Sequence, residues 1–226
     1  MSGEQAQATY SRFWILDCKT LRRCTVLLSV SLHIDPRSAR YECLPQAGQA
    51  RATAAGQKDY VLTVLRDVED EVQRSPRLKH NYPWFDAVNL ANERLAHSQR
   101  LSAQDKNTLA VATSVLQGLV QMDPARFMTR GRSPPSHTDC RVLAFGQVRP
   151  AIVVTDDLGM HELASMVGID IWHGPELMKK MLSAKLIGNE LVREIYAALE
   201  VNNDLTATWT EAKHSVFVKI FGKAID

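Results

Sequence analysis

Apolar and polar positions fall into blocks along this chain, and the clearest block is residues 151–172, AIVVTDDLGMHELASMVGIDIW. A short β-branched run, residues 151–154, stops at the polar cluster Thr155-Asp156-Asp157. A helix-length segment follows over residues 158–167, Gly168 ends it, and a second apolar run covers residues 169–172. The pattern predicts strand, turn, helix and strand, at the length a parallel βαβ unit requires. In such units ligands usually sit in the loop at the carboxyl end of the strand. Here that loop carries two adjacent acids.

The remaining blocks are read in the same way. Residues 12–17, RFWILD, predict a first strand that ends on Asp17, an acid also common as a turn former. Residues 24–34 form an apolar run whose periodicity does not separate strand from buried helix, and residues 36–58 read as a long irregular arm. Residues 60–65, YVLTVL, predict a strand, followed by an acidic helix that Ser75-Pro76 stops. Acids in a first helical turn favour the macrodipole, which accounts for Asp67, Glu69 and Asp70. Glu71 precedes apolar Val72 and is preferred to Glu69 as an inward-facing candidate.

Residues 79–85, KHNYPWF, predict a loop pinned by Trp84 and Phe85; the sharper reading is a stacking platform for unpaired bases. Residues 86–100 read as a helix. Residues 102–121 give the strongest helical pattern, with Leu109, Ala112, Val115, Leu116, Leu119 and Val120 at three- and four-residue spacing. Ser102 is placed to cap that helix, with Asp105 as its capping-box partner. Asp105 also lies one turn before Leu109 on the stripe expected to be buried, where an acid needs a partner or a metal.

Residues 122–150 contain four prolines and read as irregular, with Arg126, Arg130, Arg132, Arg141 and Arg149 interleaved with Phe127, His137 and Phe145. A solvated loop is the default; a basic flap over an anionic substrate is the functional alternative, in which Arg126, Arg130 and Arg132 contact the backbone phosphates. Residues 175–185 and 189–200 predict amphipathic helices. The tail, residues 209–223, mixes cations with apolar residues and is expected to pack on the domain or on a second protomer.

Composition narrows the classes. A chain of 226 residues, 45% hydrophobic, is long enough for one core with an appendage, here residues 1–174 and a C-terminal helical extension over residues 175–226. The net charge of +2 forces no nucleic-acid partner. There is no apolar run of membrane-spanning length, and the polar N-terminus lacks the apolar core of a secretory signal. Cys18, Cys24, Cys43 and Cys140 form no C-x-x-C pair, so a zinc or redox motif is not expected and a cytoplasmic setting is. No Gly-rich phosphate loop appears, which counts against a nucleotide-binding or phosphatase-like domain.

What stands out is the distribution of acids. Asp17, Glu71, Asp105 and the Asp156/Asp157 pair each fall at the end of a predicted strand or the start of a predicted helix. In an α/β layer with a parallel sheet those ends gather on one edge. Carboxylates within about 4–6 Å of one another cannot all ionise without a cation, and an all-oxygen set suits Mg²⁺ or Mn²⁺. Such sites hydrolyse phosphate esters. His161 is read as structural or substrate-facing.

The order ILD, YVLTVLRDVEDEV, LSAQDKNTLAVA and IVVTDDLGMHELASMVGI resembles the PIN-domain nucleases, ribonucleases that include many bacterial toxins. The resemblance covers residues 13–172 with gaps at residues 21–58 and 122–150. It implies a three-layer α/β/α fold with a central parallel sheet, extra C-terminal helices, and metal-dependent endonucleolytic cleavage of RNA. By this resemblance Asp17, Glu71, Asp105 and Asp157, with Asp156 beside it, hold Mg²⁺ or Mn²⁺. It further implies an RNA substrate, frequently a homodimer and, for toxin-type members, an antitoxin-like inhibitor protein. Cys18-Lys19 stands where family members usually carry a small polar pair, and the arm at residues 36–58 is not family-like. These departures motivate the alternative of a catalytically impaired scaffold that binds RNA or a protein partner.

Overall fold

The structure is a computed structural model, and it describes residues 12–16, 60–76, 79, 83–86, 88, 91–92, 95, 101–129, 131–149, 151–201 and 205–223, with backbone alone for residues 12–16, 60–63 and 83–84. Four strands, β1 (Arg12–Leu16), β2 (Tyr60–Val64), β3 (Ala151–Val154) and β4 (Ile171–Trp172), form one sheet in the order β2-β1-β3-β4. Every pairing is parallel, with Leu16 opposite both Val64 and Val154, and Val154 opposite Trp172. The chain steps from β1 to β2 on one side, then returns past β1 to β3. The order therefore reverses between β1 and β3, and the crevice outside their carboxyl ends is where open α/β sheets place ligands. The α/β class expected from the sequence holds.

The βαβ unit also holds. All four β3 residues are buried, as expected for a parallel strand covered on both faces. Helix α5 (Leu158–Val167) follows and ends at Gly168, whose φ of +69° is the left-handed conformation glycine adopts without cost. Before it come α1 (Arg66–Arg74), a single 3-10 turn (Pro83–Asp86), α2 (Ala103–Met122), α3 (Pro124–Phe127) and α4 (His137–Val148). After β4 come α6 (Gly174–Ser183), α7 (Asn189–Val201), α8 (Ala207–Ser215) and α9 (Val218–Phe221).

Two expectations are corrected. Residues 122–150 are not an irregular flap: they hold α3 and α4, and Phe127, Val142, Leu143, Ala144 and Phe145 are buried. Helix α4 packs against both α2 and β3, so it is covered on several sides and shows no one-sided apolar period. Pro134 and Pro135 precede α4, and Pro124 is the first residue of α3, where its missing N–H has no intrahelical partner to lose. The stripe on α2 is also narrower than expected. Leu109, Thr113, Leu116 and Val120 are buried, whereas Val115 is 57% exposed.

The C-terminal segment packs on the domain. Leu177, Met178, Val192, Ile195, Tyr196, Trp209 and Phe217 belong to the same continuous core as Val68, Leu143 and Val153. The predicted runs at residues 24–34 and 36–58 lie outside the described residues, as does most of the helix expected over residues 86–100. Phe85 is buried, consistent with a loop pinned to the core. Among the described residues no helix is long and apolar enough to cross a membrane.

Candidate functional site

The turn after β3 sits at the carboxyl edge, and it is buried throughout: Thr155, Asp156 and Asp157 all lie beneath the surface. Thr155 organises it. Its hydroxyl accepts the Asp157 N–H at 3.0 Å, and its carbonyl lies 2.9 Å from His161 Nε2. Asp157 then caps α5, its Oδ1 accepting the Met160 N–H at 3.1 Å. A side-chain acceptor at a helix start meets an amide with no intrahelical partner.

The neighbouring carboxylate faces a different environment. Asp156 accepts the Trp209 indole N–H at 2.8 Å and the Gly174 N–H at 3.1 Å, and His173 Nδ1 lies 3.5 Å away. Its side chain is fully buried. Asp156, expected beside Asp157 in the metal set, has its two oxygens held by Trp209 and by the start of α6. Its charge, after burial, helps push the Tyr196 phenol above its usual range. His161 and His173 stack with ring centroids 3.7 Å apart, and burial holds the His161 imidazole below its usual pKa.

Asp105 is also corrected. Ser102 and Asp105 form a capping box, with Asp105 N–H donating to Ser102 Oγ at 3.1 Å and Ser102 Oγ–H donating to Asp105 Oδ2 at 2.9 Å. The carboxylate lies 3.5 Å from Arg149, the C-cap of α4, two residues before β3 begins. That position is the amino edge of β3, whereas Asp157 follows its carboxyl end. The 12 residues of α4 span about 18 Å, so Asp105 and the acidic turn stand at opposite ends of the layer.

A second buried acid, absent from the sequence expectations, lies on α4. Asp139, in the first turn of α4, is only 7% exposed, and its carboxylate accepts the Ser136 N–H at 2.8 Å. Ser136 follows Pro135. A Cβ added to Gly159 would stand 3.1 Å from Asp157 Oδ1, 3.3 Å from Pro135 and 2.5 Å from the Phe127 carbonyl. The start of α4, the end of α3 and the Asp157 turn therefore converge at Gly159. The signal for Asp139 was available: Ser136-x-x-Asp139 is a capping-box spacing, hidden in a stretch read as loop from its prolines.

Glu71 is half-buried on α1, one turn beyond Asp67, which is paired with Arg141 of α4 at 2.8 Å. Asp17 follows Leu16 in the chain and lies outside the described residues, as does Arg130. Arg126 binds Glu162 of α5 at 2.6 Å on the surface, and Arg132 is exposed. Of the five arginines read as a basic flap, Arg126, Arg141 and Arg149 thus have acidic partners. Cys140 is free and buried, its thiol pushed up to about 12 by burial and by Asp139, which suits packing rather than redox chemistry.

Among the described residues no group of three or more His, Cys, Asp or Glu is placed to hold a metal ion. Asp157 and Asp139 lie on two segments that approach each other at Gly159. Mg²⁺ retains several waters and takes one or two carboxylates plus substrate phosphates, rather than a full protein cage. Comparison with known proteins finds no family model, no curated protein and no solved structure that matches this chain.

Proposed function

We propose that the protein is a PIN-like endoribonuclease that hydrolyses RNA phosphodiester bonds with Mg²⁺ or Mn²⁺ at the carboxyl edge of the sheet. The observation that carries this reading is the buried Thr155-Asp156-Asp157 turn beside the β1/β3 reversal, with Pro135, just ahead of the helix that carries buried Asp139, packed against Gly159. In this reading Asp157 and Asp139 hold the cation, with Asp17, the residue after Leu16, as the third acid and Glu71 as an outer one. The three-layer arrangement of that family is part of the same proposal. The bound ion would polarise the scissile phosphate and activate water.

The chain's own groups position the substrate. Arg126 sits on α3, whose last residue touches α5 at Gly159, and its exposed pair with Glu162 is worth about 0–1 kcal/mol. A phosphate can displace such a partner, so Arg126 and exposed Arg132 are assigned to the RNA backbone. Thr155 and His161 hold the turn in shape through its own backbone groups.

The test is cleavage of single-stranded RNA across a Mn²⁺ titration, with Asp157→Asn as the comparison. Cleavage that requires Mn²⁺ and is lost in Asp157→Asn supports the reading; metal-independent cleavage, or full activity in the variant, overturns it. Cys18-Lys19, standing where that family usually carries a small polar pair, favours one second reading, a catalytically impaired PIN-like scaffold that binds RNA or a protein partner. Mn²⁺-independent RNA binding without cleavage would select it.

A further inference from the structure

The C-terminal helices have no part in the reaction proposed above, yet they hold one of its two adjacent acids. We propose that they form a clamp on the acidic turn, in which Trp209 is a positioning residue acting through Asp156 to fix Asp157. The clamp rests on the nuclease reading only for its catalytic consequence; its structural part stands independently.

The connection runs from the aromatic cluster of the C-terminal helices to Asp156. Tyr196 of α7 donates its hydroxyl to the Trp209 carbonyl at 3.0 Å, and its ring meets the indole edge-on at 5.5 Å. Phe217 and Phe221 pack edge-on against the other parts of Tyr196, at 5.8 and 4.8 Å. The indole is thereby fixed in place, fully buried. Its N–H then reaches Asp156 Oδ2 at 2.8 Å, while the Gly174 N–H at the start of α6 holds Oδ1. The seat is close: a Cβ on Gly174 would stand 2.5 Å from Trp209 Cζ2 and 3.2 Å from Asp156 Oδ2.

Two donors from two separate segments therefore set the direction of Asp156. Asp157 follows it in a turn where Thr155 Oγ1 already accepts the Asp157 N–H. With the preceding side chain fixed, Asp157 is confined to the side where it caps α5. Without the indole donor, the carboxylate loses the bond that holds Oδ2 in a buried place, and the turn is less tightly fixed. Charge-assisted hydrogen bonds to a carboxylate are about twice as strong as neutral ones, so the loss acts on the turn rather than being absorbed locally.

The experiment compares the full-length chain carrying Trp209→Phe with Phe217→Leu. The latter thins the same aromatic cluster but removes no donor to Asp156. Two readouts are taken: amide hydrogen exchange at Asp157 and Met160, and Mn²⁺ affinity by electron paramagnetic resonance. The expected result is faster exchange at both amides and about tenfold weaker Mn²⁺ binding in Trp209→Phe, the lower range of what supporting groups around a metal contribute. Phe217→Leu, at a comparable melting temperature, keeps the donor to Asp156 and should change both by much less than Trp209→Phe. Should Trp209→Phe fail to fold, the benzothiophene isostere of tryptophan at position 209 removes only the N–H. Equal exchange in the donor-deleted and Phe217→Leu proteins would overturn the clamp. Wild-type protein that neither binds Mn²⁺ nor cuts RNA would overturn the nuclease reading instead, with the exchange data still deciding the clamp.

Discussion

Helices α2 and α4 begin with the same four-residue device, Ser-x-x-Asp, and the two copies have different surroundings. At Ser102–Asp105 the acid is half-buried and faces Arg149 at the amino edge of β3. At Ser136–Asp139 the acid is buried, on the helix preceded by Pro135, which packs near Gly159 and the Asp157 turn. A capping box is thus a statement about a helix start, and only the fold says which start lies at the functional edge. The largest test of this difference is catalytic. Asp139→Asn and Asp157→Asn should each lower Mn²⁺-dependent RNA cleavage about a hundredfold or more, beyond what outer-sphere partners usually cost. Asp105→Asn should leave the rate within a factor of about two, since surface changes away from a site rarely exceed about 0.5 kcal/mol. Equal losses in Asp105→Asn and Asp139→Asn would erase the distinction.

The next test asks what holds the corner together. Nothing surrounds Gly118 in the middle of α2, whereas Gly159 lies against the Phe127 carbonyl, where a side chain has no room. Gly159→Ala must push α3 away from α5 and should cost about 1–3 kcal/mol, the range of core overpacking. Gly118→Ala should instead stabilise the chain by about 0.5–1 kcal/mol, because glycine within a helix is disfavoured relative to alanine. Urea denaturation of both variants measures the two effects. The same sign in both would mean that the corner is not closed by this contact.

A smaller difference separates the two caps themselves. Ser→Ala at an N-cap costs about 0.5–2 kcal/mol. Ser136→Ala should fall near the upper end, because its bonds to Asp139 are partly sheltered from water, and Ser102→Ala near the lower end. Thermal melts that rank them in the opposite order would show that burial does not set the strength of the cap.

The comparison also explains which parts of the molecule could be read in advance. The βαβ unit was legible because its apolar runs are short, its helix ends at a glycine, and both strands are bounded by polar residues. Helix α4 was not, because contact with α2 on one side and β3 on another removes the polar face that periodicity depends on. The prolines then suggested a loop, although Pro134 and Pro135 stand just ahead of α4 and Pro124 opens α3. At the site, the Thr155-Asp156-Asp157 turn was identified, but no local signal tells which of two consecutive acids faces the C-terminal helices. That depends on Trp209, which sits in the otherwise polar segment ATWTEAKHS and gives no hint of its partner 53 residues earlier.

The exposed cap predicts its own acid dependence, and the sign follows from its bonds. The Ser102 hydroxyl and the Ser102 N–H both donate to Asp105, and Arg149 adds an opposite charge, so the folded-state pKa lies below the usual carboxylate value despite a small opposing effect of burial. Unfolding releases those donors and returns the group to about 3.9. The unfolded chain therefore binds more protons between the two values. The contribution of Asp105 to stability is complete above about pH 4, and it declines as pH falls through the lower, folded-state pKa. Urea melts between pH 2 and pH 5 should show a shallower acid limb for Asp105→Asn than for the wild-type chain, with the curves running parallel above that range. An unchanged slope in Asp105→Asn would mean that the cap does not distinguish the ionised acid, and that the difference between the two Ser-x-x-Asp starts rests on burial alone.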